Sequence, residues 1–162
     1  MAECKNIMVY VETAEGNPVK VGLEMLSPAK KLADKVTAVV IGGGGADAAK
    51  EVAKAGADQV ICVDSEDYKE FNLDAYAQVL VELVKEENPE AVFVGGTQDG
   101  KDIAPVVAAK CNTGCASDVL DIKAEDGEVI YTCPLYGGTV LEDVKIKTTP
   151  QIATLRLSLI HI

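Results

Sequence analysis

Four short runs of apolar, largely β-branched residues (6–11, 36–41, 59–63 and 91–94) are each followed by a stretch with helical spacing. None of the four alternates polar with apolar residues. Each is therefore expected to be buried on both faces, as strands of a parallel sheet are when helices cover both sides. The predicted fold class is α/β: a doubly wound parallel sheet, with the first run as its central strand.

The intervening helices carry local signals. Asn72 precedes Leu73, Tyr76, Ala77, Leu80, Leu83 and Val84, a stripe at steps of three and four that ends at Asn88-Pro89. Residues 46–55 form a second helix, with Asp47 in its first turn and Gly56 just past its end. Residues 21–35 are expected to form one helical segment interrupted at Ser27-Pro28, because an interior proline loses a hydrogen bond. The same reasoning starts the fourth helix near Asp102, so that Pro105 falls in its first turn.

After Ser117 the texture changes to short β-type runs at 128–132, 139–146 and 152–155, separated by Gly137-Gly138 and Thr149-Pro150. These are expected to form a mainly antiparallel extension, too small for a core of its own and in need of something to pack against. Residues 1–120 thus read as a nucleotide-binding-like core and 121–156 as the β-rich extension.

Composition excludes several classes. The 26 acidic residues outnumber the 15 basic ones, for a net charge of −11. That is the wrong sign for nucleic acid or an anionic membrane. No apolar run reaches the roughly 18 residues of a membrane-spanning helix, so no membrane insertion is expected. Five cysteines at irregular spacings fit reduced thiols and a cytoplasmic location better than a disulfide framework.

Three segments could carry chemistry. Gly42, Gly43, Gly44 and Gly45 follow a strand and precede a helix, where they either offer backbone N–H groups to a phosphate or simply permit a tight turn. Gly95, Gly96, Thr97, Gln98, Asp99, Gly100 and Lys101 follow the fourth strand, at the sheet edge where α/β proteins bind ligands. With the turn after the first strand, at Glu12 to Gly16, they are candidate nucleotide-loop residues; the same residues also make a good loop and helix cap. Cys111 and Cys115 would share one helical face if the helix ran through both, but no histidine pair accompanies them and no metal site is expected. His161, the sole histidine, has no partner for a catalytic triad, and no catalytic residues are assigned.

Two stretches go beyond generic α/β texture. Residues 94–109, with Gly100-Lys101-Asp102-Ile103-Ala104-Pro105, and Ser117-Asp118 after them, resemble the electron transfer flavoprotein alpha subunit. Tyr131 to Thr139 resembles that family's R-P-x-Y-x-G-N segment, with Cys133 in place of arginine and Thr139 in place of asparagine. Residues 150–156 look like the stretch closing its N-terminal domain, so the likeness runs through nearly the whole chain in order.

The resemblance implies an adenine nucleotide alpha hydrolase-like fold and the N-terminal scaffold domain of a heterodimer. Such a heterodimer carries electrons from dehydrogenases to a quinone or ferredoxin-linked acceptor. It implies FAD in the full-length protein, held mostly by a C-terminal domain missing here, with none of the usual FAD contacts assignable in this chain. It further implies an electron transfer flavoprotein beta subunit as partner, in which AMP or a second flavin can bind, and a β extension that packs on that subunit. A small AMP- or ATP-binding module is the alternative. The last six residues, 157–162, are also the translation of CTG-TCT-CTT-ATA-CAC-ATC, the end of a transposon-derived sequencing adapter; they are expected to be a non-native tail.

Overall fold

The computed structural model describes residues 4–156. The expectations for His161 and for the tail lie outside these residues. Six parallel strands form the main sheet: β1 (Cys4–Val11), β4 (Ala33–Gly42), β5 (Gln59–Asp64), β6 (Ala91–Gly95), β7 (Cys115–Val119) and β11 (Gln151–Leu155). Their order is β5-β4-β1-β6-β11-β7, with β1 in the middle as expected.

Both faces of this sheet are covered. On one side α1 (Lys20–Leu32) and α2 (Gly45–Lys54) lay Met25, Leu26, Ala48 and Val52 over Val9, Ala38 and Val40. On the other, α3 (Leu73–Glu87) and α4 (Gln98–Lys110) pack Leu80, Val84, Ile103 and Val107 over Met8, Val39 and Val92. The Asn72 side chain caps α3 by accepting from Ala75 N at 3.0 Å, and Asn88 ends that helix in the left-handed region.

The β extension is a three-stranded antiparallel sheet of β8 (Asp121–Glu125), β9 (Glu128–Leu135) and β10 (Val140–Val144), with β9 central. Val129, Tyr131 and Cys133 of β9 join the α1/α2 side of the core. The arm thus covers apolar surface beside β7 and β11, where a further helix would otherwise lie.

Four expectations are corrected. Residues 152–155 are not part of the antiparallel arm; they belong to β11, which runs parallel between β6 and β7 with Ile152, Ala153, Thr154 and Leu155 buried. The main sheet offers this run two strand partners and two covered faces, which the small arm cannot. Helix α1 ends at Leu32 and β4 begins at Ala33, and Pro28 sits inside α1 without interrupting it. Helix α4 starts at Gln98, so Pro105 lies in its interior rather than its first turn. In both helices the sheet-facing residues around the proline are buried, Met25, Leu26 and Ala29 in α1 and Ile103, Ala104 and Val107 in α4, and packing outweighs the lost hydrogen bond. Cys111 is the C-cap of α4 whereas Cys115 begins β7, so the two do not share a helical face. Asn112, at φ +56°, turns the chain between them.

Candidate functional site

From β1 the chain crosses to β4 on one side, and from β6 it crosses through α4 to β7 on the other. The loops after β1 and β6 therefore diverge, leaving a crevice at the carboxyl edge of the sheet. One bond ties its two sides together: Thr97 Oγ1 donates to Glu12 Oε1 at 2.6 Å. Thr97 also caps α4, accepting from Gly100 N at 3.0 Å. After Glu12 a hairpin of β2 (Thr13–Ala14) and β3 (Asn17–Pro18) turns through Glu15 and Gly16, both at positive φ.

A small solvent-open cleft of about 70 Å³ sits at this edge. Tyr10, Glu12, Thr13, Gly16, Gly42, Gly43, Lys69, Phe71, Tyr76 and Asp99 line it. The Tyr76 ring is held edge-on by Tyr68 and Phe71, and its hydroxyl donates to Tyr68 O. Burial pushes the Tyr10 hydroxyl well above its usual range, and the nearby Glu12 pushes it further. Burial also raises Glu12; the Thr97 hydrogen bond opposes this, and Asp99 adds to it. Of the lining side chains only Lys69 is a cation, so the cleft carries two carboxylates against one ammonium. That balance repels a phosphate or pyrophosphate.

The raised Glu12 pKa has a consequence for stability. Between the ordinary value of about 4.3 and the higher folded value, the native state holds more protons than the unfolded chain. Stability therefore falls as pH rises through that window. Glu12→Gln keeps an acceptor for Thr97 and removes the half-buried charge. Its melting temperature is expected to exceed that of the wild type at pH 7, with the difference shrinking as pH falls toward 4. An advantage that persists unchanged at acid pH would refute this account.

The predicted loop residues have mixed placements. Gly95 ends β6, and Gly96 N donates to Leu155 O at 2.8 Å, so Gly96 packs against the end of β11. Thr97 caps, Gln98 opens α4, and Gly100 packs under the helix against β6. Only Asp99 of the seven lines the cleft. Lys101 pairs with Asp118 at 3.0 Å, beside Arg156 at 3.6 Å from the same oxygen. Gly42 and Gly43 do line the cleft, but Gly44 N, at the N-terminus of α2, is taken by Asp64 Oδ1 at 2.8 Å. Burial raises the pKa of both Cys111 and Cys115, which disfavours the thiolate a metal needs.

Sequence reasoning missed Tyr10, Lys69, Phe71 and Tyr76 as cleft residues, whereas Thr13 and Gly16 fall in the Glu12–Gly16 turn it had named. Tyr10 and Tyr76 read as core, and both are indeed almost fully buried. The available signal was topological, since every loop at the carboxyl edge next to the central strand can contribute.

The arm presents the other exposed feature. Leu135, Tyr136, Val140 and Leu141 are the exposed large hydrophobic residues among those described, and all four lie at the β9–β10 turn.

The class the fold and site define is a doubly wound α/β domain with a crevice at its strand-order switch and an apolar-tipped β arm. This chain belongs to the electron transfer flavoprotein domain family, whose pattern matches residues 7–161. It is 36% identical over 96% of its length to the electron transfer flavoprotein subunit alpha of Clostridium acetobutylicum, of which it covers 48%. It is 37% identical over 86% of its length to the acryloyl-CoA reductase electron transfer subunit beta of Anaerotignum propionicum, covering 46% of that protein. A third relative is the lactate dehydrogenase (NAD(+),ferredoxin) subunit LctC of Acetobacterium woodii, 32% identical over 94% of the chain and covered over 38%. The chain spans about half the length, or less, of these curated relatives. No helix among the described residues is long and apolar enough to cross a membrane.

Proposed function

We propose that this chain is the N-terminal scaffold domain of an electron transfer flavoprotein alpha subunit. In this reading it docks a beta subunit through its arm, within a heterodimer that carries electrons from dehydrogenases to an acceptor. The carrying observation is the family match over almost the whole chain together with coverage of only about half of the relatives. The domain's part is to position; the redox chemistry belongs to the flavin.

FAD does not fit the residues present. Its pyrophosphate would meet Glu12 and Asp99 in the cleft, and the α2 N-terminus already holds Asp64. The flavin site is accordingly assigned to the part of the longer protein beyond this domain. Purified alone, this chain is expected to be colourless, with no flavin absorbance near 450 nm; stoichiometric bound flavin would overturn the assignment.

The cleft at the switch point favours one competing reading, a small adenine-nucleotide module with Asp99 and its neighbours from Gly95 to Lys101 as the binding loop. Calorimetric titration with AMP and ATP separates the two. The scaffold reading expects no saturable heat, and micromolar binding would favour the module.

A further inference from the structure

We infer that the β9–β10 turn is a finger that inserts into an apolar socket with a basic rim on a different polypeptide; this rests on the docking role proposed above. Residues 134–141 contain no charged side chain, in a chain with net charge −11. Their register pairs Leu135 with Val140 and Pro134 with Leu141. Successive pairs point to opposite faces, so the tip is apolar on both sides and needs to be enclosed rather than laid on a flat surface.

At its end stands Tyr136, 83% exposed and at φ +50°. Gly137 and Gly138 follow at φ +68° and +93°, and Thr139 Oγ1 braces the turn by donating to Tyr136 O at 2.9 Å. A tyrosine in the left-handed region is uncommon and costs free energy that asparagine or glycine would spare. The ring adds little to the local fold, since it is largely exposed among the described residues. A large aromatic held outward in this way has the character of an interface anchor.

Charge selects the occupant. Between residues 121 and 147 there are six carboxylates and three lysines. Lys123 is paired with Asp143 and Lys145 with Glu128. Asp121, Glu125, Asp126 and Glu142 have no ion pair among the described residues; Glu142 adjoins Leu141 at the tip and Asp121 stands opposite Thr132, whereas Glu125 and Asp126 lie at the other end of the arm near Lys145. A second copy would bring the same acidic surface to the contact and be repelled. A rim of lysine and arginine on another chain would be attracted, in a salt-dependent way.

The test measures binding of the protein to its electron transfer flavoprotein beta subunit by sedimentation or biolayer interferometry. Tyr136→Asn suits the left-handed backbone, so it removes the ring without endangering the turn; Leu141→Ser is the second variant. Each is expected to weaken binding by about 30-fold or more, the scale of an interface hot spot, with circular dichroism unchanged and the melting temperature no lower than that of the wild type. Raising salt should weaken the wild-type complex, and Glu142→Lys should do so at low salt. Wild-type binding with both variants within threefold would overturn the finger while leaving the docking role intact. Absence of wild-type binding would overturn the docking role itself. Self-association of the chain alone, abolished by Tyr136→Asn, would overturn the choice of occupant.

Discussion

Replacing Gly100 by alanine is expected to destabilise the domain by about 3 kcal/mol or more, at or above the upper end for overpacking. A Cβ there would lie 1.9 Å from Gly95 O and 3.0 Å from Glu12 Oε1. Gly95 O belongs to the end of β6, where Gly95 pairs with Leu155, so it cannot swing aside as a side-chain tip would. The first turn of α4 must lift instead. That movement strains the Thr97 cap and the Thr97–Glu12 bond across the crevice. Alanine's better helix propensity returns only about 1 kcal/mol. Thermal unfolding should show a melting temperature lower by about 6–12 °C for a chain of this size, and a drop of less than 2 °C would sink the argument. Gly44→Ala provides the contrast. Nothing lies within 4 Å of its added Cβ, and only the φ of +79° penalises it, by about 1–2 kcal/mol.

Tyr131→Ala is the second large effect, expected at about 3–5 kcal/mol as for other buried aromatics cut to alanine. Tyr131 is fully buried and lies on the arm's central strand. It belongs to the core shared with Ala153 and Leu155, and its hydroxyl donates to Gln151 Oε1 at 2.9 Å. The ring thus pins the arm to the main sheet. Tyr131→Phe keeps the ring and loses one neutral hydrogen bond, so it should cost only about 1 kcal/mol. Chemical denaturation gives both numbers. Limited proteolysis gives an independent readout, since in the alanine variant cleavage within residues 121–147 should outpace cleavage in the helices. Equal costs for the two substitutions would show that the ring does not anchor the arm.

What could be read from the sequence was mostly local. The α3 helix was legible because cap, stripe and terminator all lie within its own span, from Asn72 to Asn88. The four leading strands were legible because each is a continuous apolar run. The start of α4 was not, because Pro105 argued for a late start while the Thr97 cap argued for an early one. Burial of Ile103, Ala104 and Val107 against the sheet decided between them. Strand β7 was invisible: Cys-Ala-Ser-Asp-Val has no β pattern, and Asp118 sits at φ +57° where the pairing with β11 shifts register. Strand β11 had the right composition but was given to its sequence neighbours, since no local rule joins residue 151 to residue 91. The crevice was partly legible through Glu12, Gly42, Gly43 and Asp99. Lys69 and Tyr76 come from the segment between β5 and the middle of α3, and only the assembled topology brings them there.

The late arrival of β11 between two earlier strands also sets an order of events during synthesis. Until residues 151–155 leave the ribosome, β6 has an open edge and β7 has no neighbour in the main sheet. A nascent chain stalled before that point carries a half-built sheet with its apolar edge uncovered, the kind of species that chaperones bind. Cooperative folding must therefore wait for a contact made across about sixty residues of chain, a non-local parallel pairing of the kind that slows folding.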